Sequence, residues 1–163
     1  FCREASLELG VSPEDVQRLS DAYLRGPFEG VAELIDELKS AGVATACLSN
    51  TNSNHWRMMT TPGGPNYLPL DRMRYRFASH LVRARKPDAA IYEHVERTTG
   101  VAPGRIVFFD DLEDNVAAAR ARGWKAHRIV PGESPVAQAR RWLLRYDVPL
   151  PAAGSAGAAS PTT

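Results

Sequence analysis

Short apolar segments alternate with amphipathic helical segments along this chain, and this alternation constrains the fold more than any other feature. VATACL and RIVFFDD are apolar runs of strand length, whereas RKPDAAIYEHVERTTG and DNVAAARARG space apolar residues as helices do and end at glycine. Strands that alternate with helices of this length predict a parallel, doubly wound sheet. We therefore predict an α/β fold with a Rossmann-like core.

Composition and charge restrict the classes of function. The net charge is +1 over 163 residues, so no global attraction to nucleic acid or to an anionic membrane is expected. No apolar run approaches the ~20 residues that span a bilayer, and FCREASLELG lacks the apolar stretch of a signal peptide. With only two cysteines, Cys2 and Cys47, we expect free thiols and a reducing cytoplasm. The oligomeric state stays open.

Polar side chains directly follow two of the predicted strands. Ser49 and Asn50 come after VATACL, and Asp110 and Asp111 end RIVFFDD. Ligands of doubly wound sheets bind at the carboxyl ends of strands, so these residues are expected at one rim. Adjacent carboxylates suit Mg²⁺, while a hydroxyl, an amide and free N–H groups suit a phosphate. The alternative for both groups is that they cap the helices that follow.

Lys86 is the third candidate for the same rim. It is one of three lysines in a chain with 17 arginines, and Pro87 follows it before a predicted helix. A compact ammonium group can neutralise a phosphoryl oxygen, although a lone lysine in a loop is often simply solvated. Carboxylates, an anion cradle and a cation together form the set that phosphoryl transfer needs.

Three segments in this order, LSNTN, RKPDAAIYEHV and IVFFDDLEDN, resemble the second, third and fourth motifs of haloacid dehalogenase superfamily hydrolases. The pattern covers roughly residues 5–146. It is most similar to bacterial sugar-phosphate phosphatases of the α-D-glucose-1-phosphate type, and more distantly to the phosphatase domain of soluble epoxide hydrolase. The resemblance implies a Mg²⁺-dependent phosphatase that acts on a small phosphorylated metabolite, such as a sugar phosphate, through an aspartyl-phosphate.

The resemblance also implies how the phosphoryl group is held. By this resemblance, Ser49 binds the phosphoryl group, and Asn50 lies beside that group. Lys86 stabilises both the nucleophile and the phosphoryl group during transfer. Ser49 and Lys86 are therefore the expected catalytic residues of this chain.

A further set of roles that the resemblance implies concerns the metal. Asp111 is the expected main Mg²⁺ ligand, and Asp110 lies alongside it or in the layer behind it. Asn115 is expected to support these carboxylates. Mg²⁺ is the only cofactor that the resemblance implies.

The first motif of the family, a DxDxT-like sequence after an apolar strand, has no match in this chain. By the resemblance that motif supplies the nucleophile, and its strand lies at the centre of the sheet. We therefore expect a fragment: residues 1–26 as the remnant of a helical cap, 27–148 as the core and 149–163 as a disordered tail. Two neighbouring strands would then lack a hydrogen-bond partner, and the chain would be inactive unless a partner supplies the strand.

Two other functions stay open. A haloacid dehalogenase proper works without metal on a carboxylate substrate, which the Asp110–Asp111 pair would repel. A non-catalytic binding or regulatory module agrees with the missing nucleophile but not with the three surviving motifs.

Two further groups of residues have competing interpretations. His55 and Trp56 either line the entrance of the site or belong to the core. A set of arginines, with Tyr75 and Phe77 between them, forms a solvated face, guides an anionic substrate or, less favoured, contacts nucleic acid. These arginines are Arg72, Arg74, Arg76, Arg83 and Arg85.

Overall fold

The structure is a computed structural model that describes residues 2–150, and it describes side chains from residue 4 onward. The predicted tail lies outside the described residues except for its first two positions. The helices are α1 (Cys2–Leu9), α2 (Pro13–Asp21), α3 (Val31–Ser40), α4 (Ser53–Thr60), α5 (Ser79–Val82), α6 (Ala89–Thr99), α7 (Glu113–Ala121) and α8 (Pro135–Arg145). The strands are β1 (Ala46–Ser49), β2 (Tyr75–Ala78), β3 (Val107–Asp110) and β4 (Lys125–Arg128). Two short 3-10 turns cover Leu70–Arg72 and Pro103–Arg105.

The four described strands form two separate parallel pairs. β1 pairs with β2, so that Ser49 lies opposite Ala78, and β3 pairs with β4, so that Asp110 lies opposite Arg128. Within residues 2–150 no strand lies between β1 and β3. The predicted α/β class with parallel strands is confirmed, and each of these strands has one paired edge among the described residues.

Local signals in the sequence begin and end several helices. The Ser12 side chain accepts a hydrogen bond from the Asp15 backbone N–H at the start of α2. Gly100 ends α6 in a left-handed conformation with φ of 68°, which favours glycine. No helix in residues 2–150 is long and apolar enough to span a bilayer.

Helix α2 differs from its prediction. The spacing of Val16, Leu19 and Tyr23 predicts one helical face, with Gly26 as the stop of the helix. In the structure α2 ends at Asp21, and only Val16 of this face is buried. Leu19 is 61% exposed and Tyr23 is 85% exposed. Helical spacing shows which face could be buried, but it does not show that a neighbouring element is present to cover that face.

Two apolar clusters lie on opposite faces of the strands. One contains Ile91 and Tyr92 of α6 together with Phe108 and Trp124. The rings of Tyr92, Phe108 and Trp124 meet edge to face. The other joins α3 to α8 through a set of buried aliphatic side chains: Leu34, Leu38, Ala139 and Leu143. A cavity of about 550 Å³ lies between these clusters and between β1 and β3.

We expect Ile91→Ala to destabilise the protein by about 2–5 kcal/mol, because it leaves a void among fully buried side chains. Leu81→Ala is the matched control, since Leu81 is 65% exposed and its truncation should change stability by less than about 0.5 kcal/mol. Urea unfolding followed by circular dichroism measures both effects. Equal losses in the two variants would contradict the assignment of the core to α6.

Candidate active site

Lys86 is buried at the carboxyl ends of β1 and β3. Its side chain is 9% exposed, and its Nζ lies 2.6 Å from Asp110 Oδ2 and 2.7 Å from the Leu48 carbonyl oxygen. The ammonium group thus connects the end of one strand pair to the end of the other. The alternative of a solvated loop lysine is wrong.

Both carboxylate oxygens of Asp110 are hydrogen-bonded. Oδ2 accepts from Lys86, while Oδ1 accepts from the Leu112 backbone N–H at 3.0 Å and from Asn115 Nδ2 at 2.8 Å. Burial alone would raise the pKa of Asp110, but the hydrogen bonds from Lys86 and Asn115 hold that pKa below its usual value. Leu112, not an aspartate, occupies the N-cap position of α7. Capping therefore does not explain the two adjacent acids.

Asn115 is itself held in place. It is 3% exposed, and its backbone carbonyl accepts a hydrogen bond of 2.9 Å from the hydroxyl of the fully buried Tyr92. Burial, with a smaller contribution from the charge of Asp110, raises the pKa of Tyr92 to about 12, so this phenol stays neutral and donates. A chain of hydrogen bonds therefore leads from α6 through α7 to the carboxylate at the end of β3.

Asn50 fixes the backbone of Lys86 instead of capping a helix. Its Oδ1 accepts from the Lys86 backbone N–H at 2.8 Å, and its Nδ2 donates to the Lys86 carbonyl oxygen at 2.8 Å. Asn52 caps α4, because its side chain accepts from the His55 backbone N–H. The alternative that Ser49 and Asn50 cap the helix that follows is wrong, since three loop residues separate β1 from α4.

Two of the predicted site residues keep free polar groups. Ser49 is half-buried at the end of β1, and its hydroxyl makes no hydrogen bond to the described residues. Asp111 is exposed after β3; its backbone carbonyl accepts from Arg128 Nε at 3.0 Å, while its carboxylate has no partner among residues 4–150. The same residues contain no cluster of three histidine, cysteine, aspartate or glutamate side chains that could hold a metal.

His55 belongs to α4, and its side chain contacts α2 and not the residues of the Lys86 cluster. Its Nε2 lies 3.0 Å from Ser20 Oγ and 3.3 Å from Asp21 Oδ1. Asn54 Nδ2 donates to the same Asp21 oxygen at 2.9 Å. These contacts attach α2, in the predicted cap remnant, to α4.

Two of the predicted arginines have partners outside the Lys86 cluster. Arg72 forms an ion pair with Asp36 of α3, and the Arg74 guanidinium lies 5.5 Å from the centre of the Tyr75 ring. All five of the predicted arginines are exposed.

Sequence reasoning missed two contributors to the site. One is the backbone carbonyl of Leu48, which a sequence cannot mark because every residue carries a carbonyl. The other is Tyr92, which the sequence analysis did not single out and which is fully buried and donates a hydrogen bond to Asn115. The Asn50 side chain was expected to face the substrate, yet it pairs with Lys86.

Comparison with known proteins identifies the family. The family model for haloacid dehalogenase-like hydrolases matches residues 4–123. The chain belongs to this family of hydrolases.

Similar proteins include a phosphatase and a dehalogenase. The chain is 35% identical to sesquiterpene phosphatase astK of Aspergillus oryzae over 104 residues, which is 60% of this chain and 47% of that protein. It is 29% identical to (S)-2-haloacid dehalogenase of Pseudomonas sp. (strain YL) over 124 residues, which is 76% of this chain and 51% of that protein. The chain thus spans about half the length of these relatives.

A solved structure has a similar fold. It is a haloacid dehalogenase family enzyme from Bacteroides thetaiotaomicron in complex with magnesium and inorganic phosphate. The TM-score is 0.55 at 26% identity, over 62% of this chain and 52% of that one.

We expect Lys86→Met to destabilise the protein by about 3–5 kcal/mol, because it leaves the Asp110 carboxylate buried without its cation. Lys39→Met is the matched control at an exposed lysine and should have little effect. Adding Asp110→Asn to Lys86→Met should recover part of the loss, since no unpaired charge then remains. Urea unfolding of the four proteins tests this, and a loss below about 1 kcal/mol in Lys86→Met would contradict it.

Proposed function

We propose that this hydrolase is a Mg²⁺-dependent phosphomonoesterase for a small phosphorylated metabolite, such as a sugar phosphate. The reaction would pass through an aspartyl-phosphate on a nucleophile outside the motifs of this chain. The main support is the position of the Lys86 ammonium group, which lies between the ends of β1 and β3 and is held by Asp110, Leu48 and Asn50. Phosphoryl transfer depends mostly on such fixed charges.

Lys86 and Ser49 are the residues that we propose for the phosphoryl group. An ammonium group has three donors, and two of those of Lys86 go to Asp110 and to Leu48. One donor therefore remains for a phosphoryl or carboxylate oxygen. The Ser49 hydroxyl is free among the described residues to donate to the same anion. Both polar ends of Asn50 are occupied, so we assign it the role of positioning Lys86.

Asp111 is the residue that we propose as the main Mg²⁺ ligand. Its exposed carboxylate fits an ion that takes one or two carboxylates and completes its shell with water and phosphate oxygens. Asp110 cannot serve equally well without breaking its bonds to Lys86 or Asn115, so we place it behind Asp111. When bound, Mg²⁺ would neutralise phosphate charge.

Dehalogenation is the second candidate, because one relative with 29% identity is a haloacid dehalogenase. The free carboxylate of Asp111 disfavours dehalogenation, since this charge would repel a carboxylate substrate at the same rim. A non-catalytic module is disfavoured by the buried hydrogen bonds that hold Lys86 in place while one of its donors stays available. A cytoplasmic location is supported by Cys47, which is a free thiol. Burial raises the pKa of this thiol to about 11.

The proposed function can be tested with an N-terminally extended chain that supplies an apolar strand ending in a DxDxT-like motif. We expect this protein to hydrolyse p-nitrophenyl phosphate only with Mg²⁺ and to leave 2-chloropropionate intact. The chain of 163 residues alone, and an extended chain whose first motif aspartate is asparagine, should be close to inactive. Release of chloride without metal would favour the dehalogenase instead.

In the extended protein, we expect Asp111→Asn to raise the Mg²⁺ concentration for half-maximal activity by about tenfold or more, because an amide lacks the ligand charge. Asp114→Asn is the matched control, since Asp114 is an exposed acid in the first turn of α7. Magnesium titration of initial rates measures both. Similar shifts in the two variants would contradict the assignment of the metal to Asp111.

A further inference from the structure

We infer that Ser79 is a positioning residue of this site, because its hydroxyl holds the loop after β1 and thereby sets the separation between the Ser49 hydroxyl and the Lys86 ammonium group. The assignment of these two groups to one phosphoryl group rests on the proposed function. The hydrogen bonds that carry the inference are independent of that function, since all of them join described residues to one another.

Ser79 begins α5 directly after β2, and its side chain binds both peptide groups of Thr51. Its Oγ accepts from the Thr51 N–H at 2.9 Å and donates to the Thr51 carbonyl oxygen at 3.0 Å. A hydroxyl has one donor and two acceptor lone pairs, so both contacts form at once. The two residues lie 28 positions apart, and the contact therefore ties two separate segments together.

A second pair of hydrogen bonds runs in the opposite sense beside the first. Asn50 of the same loop binds the N–H and the carbonyl oxygen of Lys86, each at 2.8 Å. The loop thus supplies the Asn50 side chain and the Thr51 backbone, while residues 79–86 supply the Ser79 side chain and the Lys86 backbone. We call these four hydrogen bonds the double clamp. Neighbouring residues of the loop therefore hold both ends of the segment that leads to Lys86.

His80 adds a further contact to the same point of the loop. Its Nδ1 lies 3.2 Å from the Thr51 carbonyl oxygen. Because a carbonyl oxygen only accepts hydrogen bonds, Nδ1 is the ring nitrogen that carries a hydrogen in this contact. The His80 ring also meets the Trp56 ring edge to face, with 6.4 Å between the ring centres. Thr51 is therefore held by two consecutive side chains of α5.

The backbone between the two ends of the clamped segment is constrained. Arg83 follows α5 and has φ of 59°, in the left-handed region. This conformation is unfavourable for a residue with a side chain, and it persists where the surrounding structure fixes the backbone. The double clamp holds residues 79 and 86 on either side of Arg83 and supplies such a constraint.

The double clamp acts on both groups that we assign to the phosphoryl group. Ser49 directly precedes Asn50 and Thr51, so the two clamped residues fix the loop that carries its hydroxyl. The Lys86 backbone is held by the same loop, and its Nζ donates to Leu48, the residue before Ser49. Loss of the Ser79 hydroxyl would leave only Asn50 to bind the loop to this segment. Small displacements of groups that hold a reacting phosphate reduce its stabilisation.

The first experiment measures amide hydrogen exchange by NMR in the chain itself. In Ser79→Ala we expect exchange at Thr51 to speed up by about fivefold or more, because its N–H loses its acceptor. Ser79→Thr keeps the hydroxyl and should stay within about twofold of the unaltered chain. Ser134→Ala is the matched control, since it removes a hydroxyl that accepts from the Ala137 N–H at the start of α8. It should leave exchange at Thr51 unchanged.

The second experiment follows Lys86 and phosphate. The chain has three lysines, so Lys39 and Lys125 serve as internal controls for the ammonium signal of Lys86. In Ser79→Ala we expect hydrogens of the Lys86 ammonium group to exchange with water about threefold faster or more. In a titration with inorganic phosphate, the concentration that half-shifts the Ser49 amide signal should rise about tenfold in Ser79→Ala but not in Ser79→Thr.

The outcomes separate the double clamp from the phosphatase proposal. Unchanged exchange at Thr51 in Ser79→Ala, or equal acceleration in Ser134→Ala, would overturn the clamp. Faster exchange at Thr51 with an unchanged Lys86 signal would overturn the positioning role and confine Ser79 to the loop. If phosphate shifts no signal of the unaltered chain, the proposed phosphoryl site fails, while exchange at Thr51 and Lys86 still decides whether Ser79 holds the two segments together.

Discussion

The arrangement of the site depends on one buried ammonium group. Lys86 links the carboxyl end of β1 to that of β3, two strands that share no backbone hydrogen bond within residues 2–150. Burial of a charge costs several kcal/mol, and the Asp110 carboxylate offsets this cost only because Asn115 and the Leu112 N–H fix its other oxygen. The relative positions of the polar groups at the rim follow from this contact.

The apolar layers explain how the two strand pairs stay in one fold. Successive residues of β3 point to opposite faces, so Phe108 enters the α6 cluster while Phe109 packs toward α3 and α8. One short strand therefore anchors both layers. No direct pairing holds β1 to β3. The helices that pack across the gap between these strands hold the two strand pairs together instead.

Periodicity in the sequence predicted where the helices and strands lie better than it predicted which of their residues are buried. The strand runs and α6 with its glycine stop were predicted correctly, because spacing and capping are local properties. The exposed side of α2 was not predicted, since burial depends on which element lies opposite. The burial of Lys86 and its pairing with Asn50 were also beyond the sequence, because these residues lie 36 positions apart and meet only through the fold.

The two hydrogen bonds between Asn50 and Lys86 have a consequence for how this site could change over time. They hold the peptide groups of position 86 and not its side chain, so these two contacts do not themselves require the ammonium group. Asn50 thus fixes the backbone at position 86, whereas Lys86 supplies the charge at this point of the rim. A lineage could exchange the cation for another chemical group, together with its partner Asp110, while it keeps the backbone contacts that place position 86 at the ends of β1 and β3.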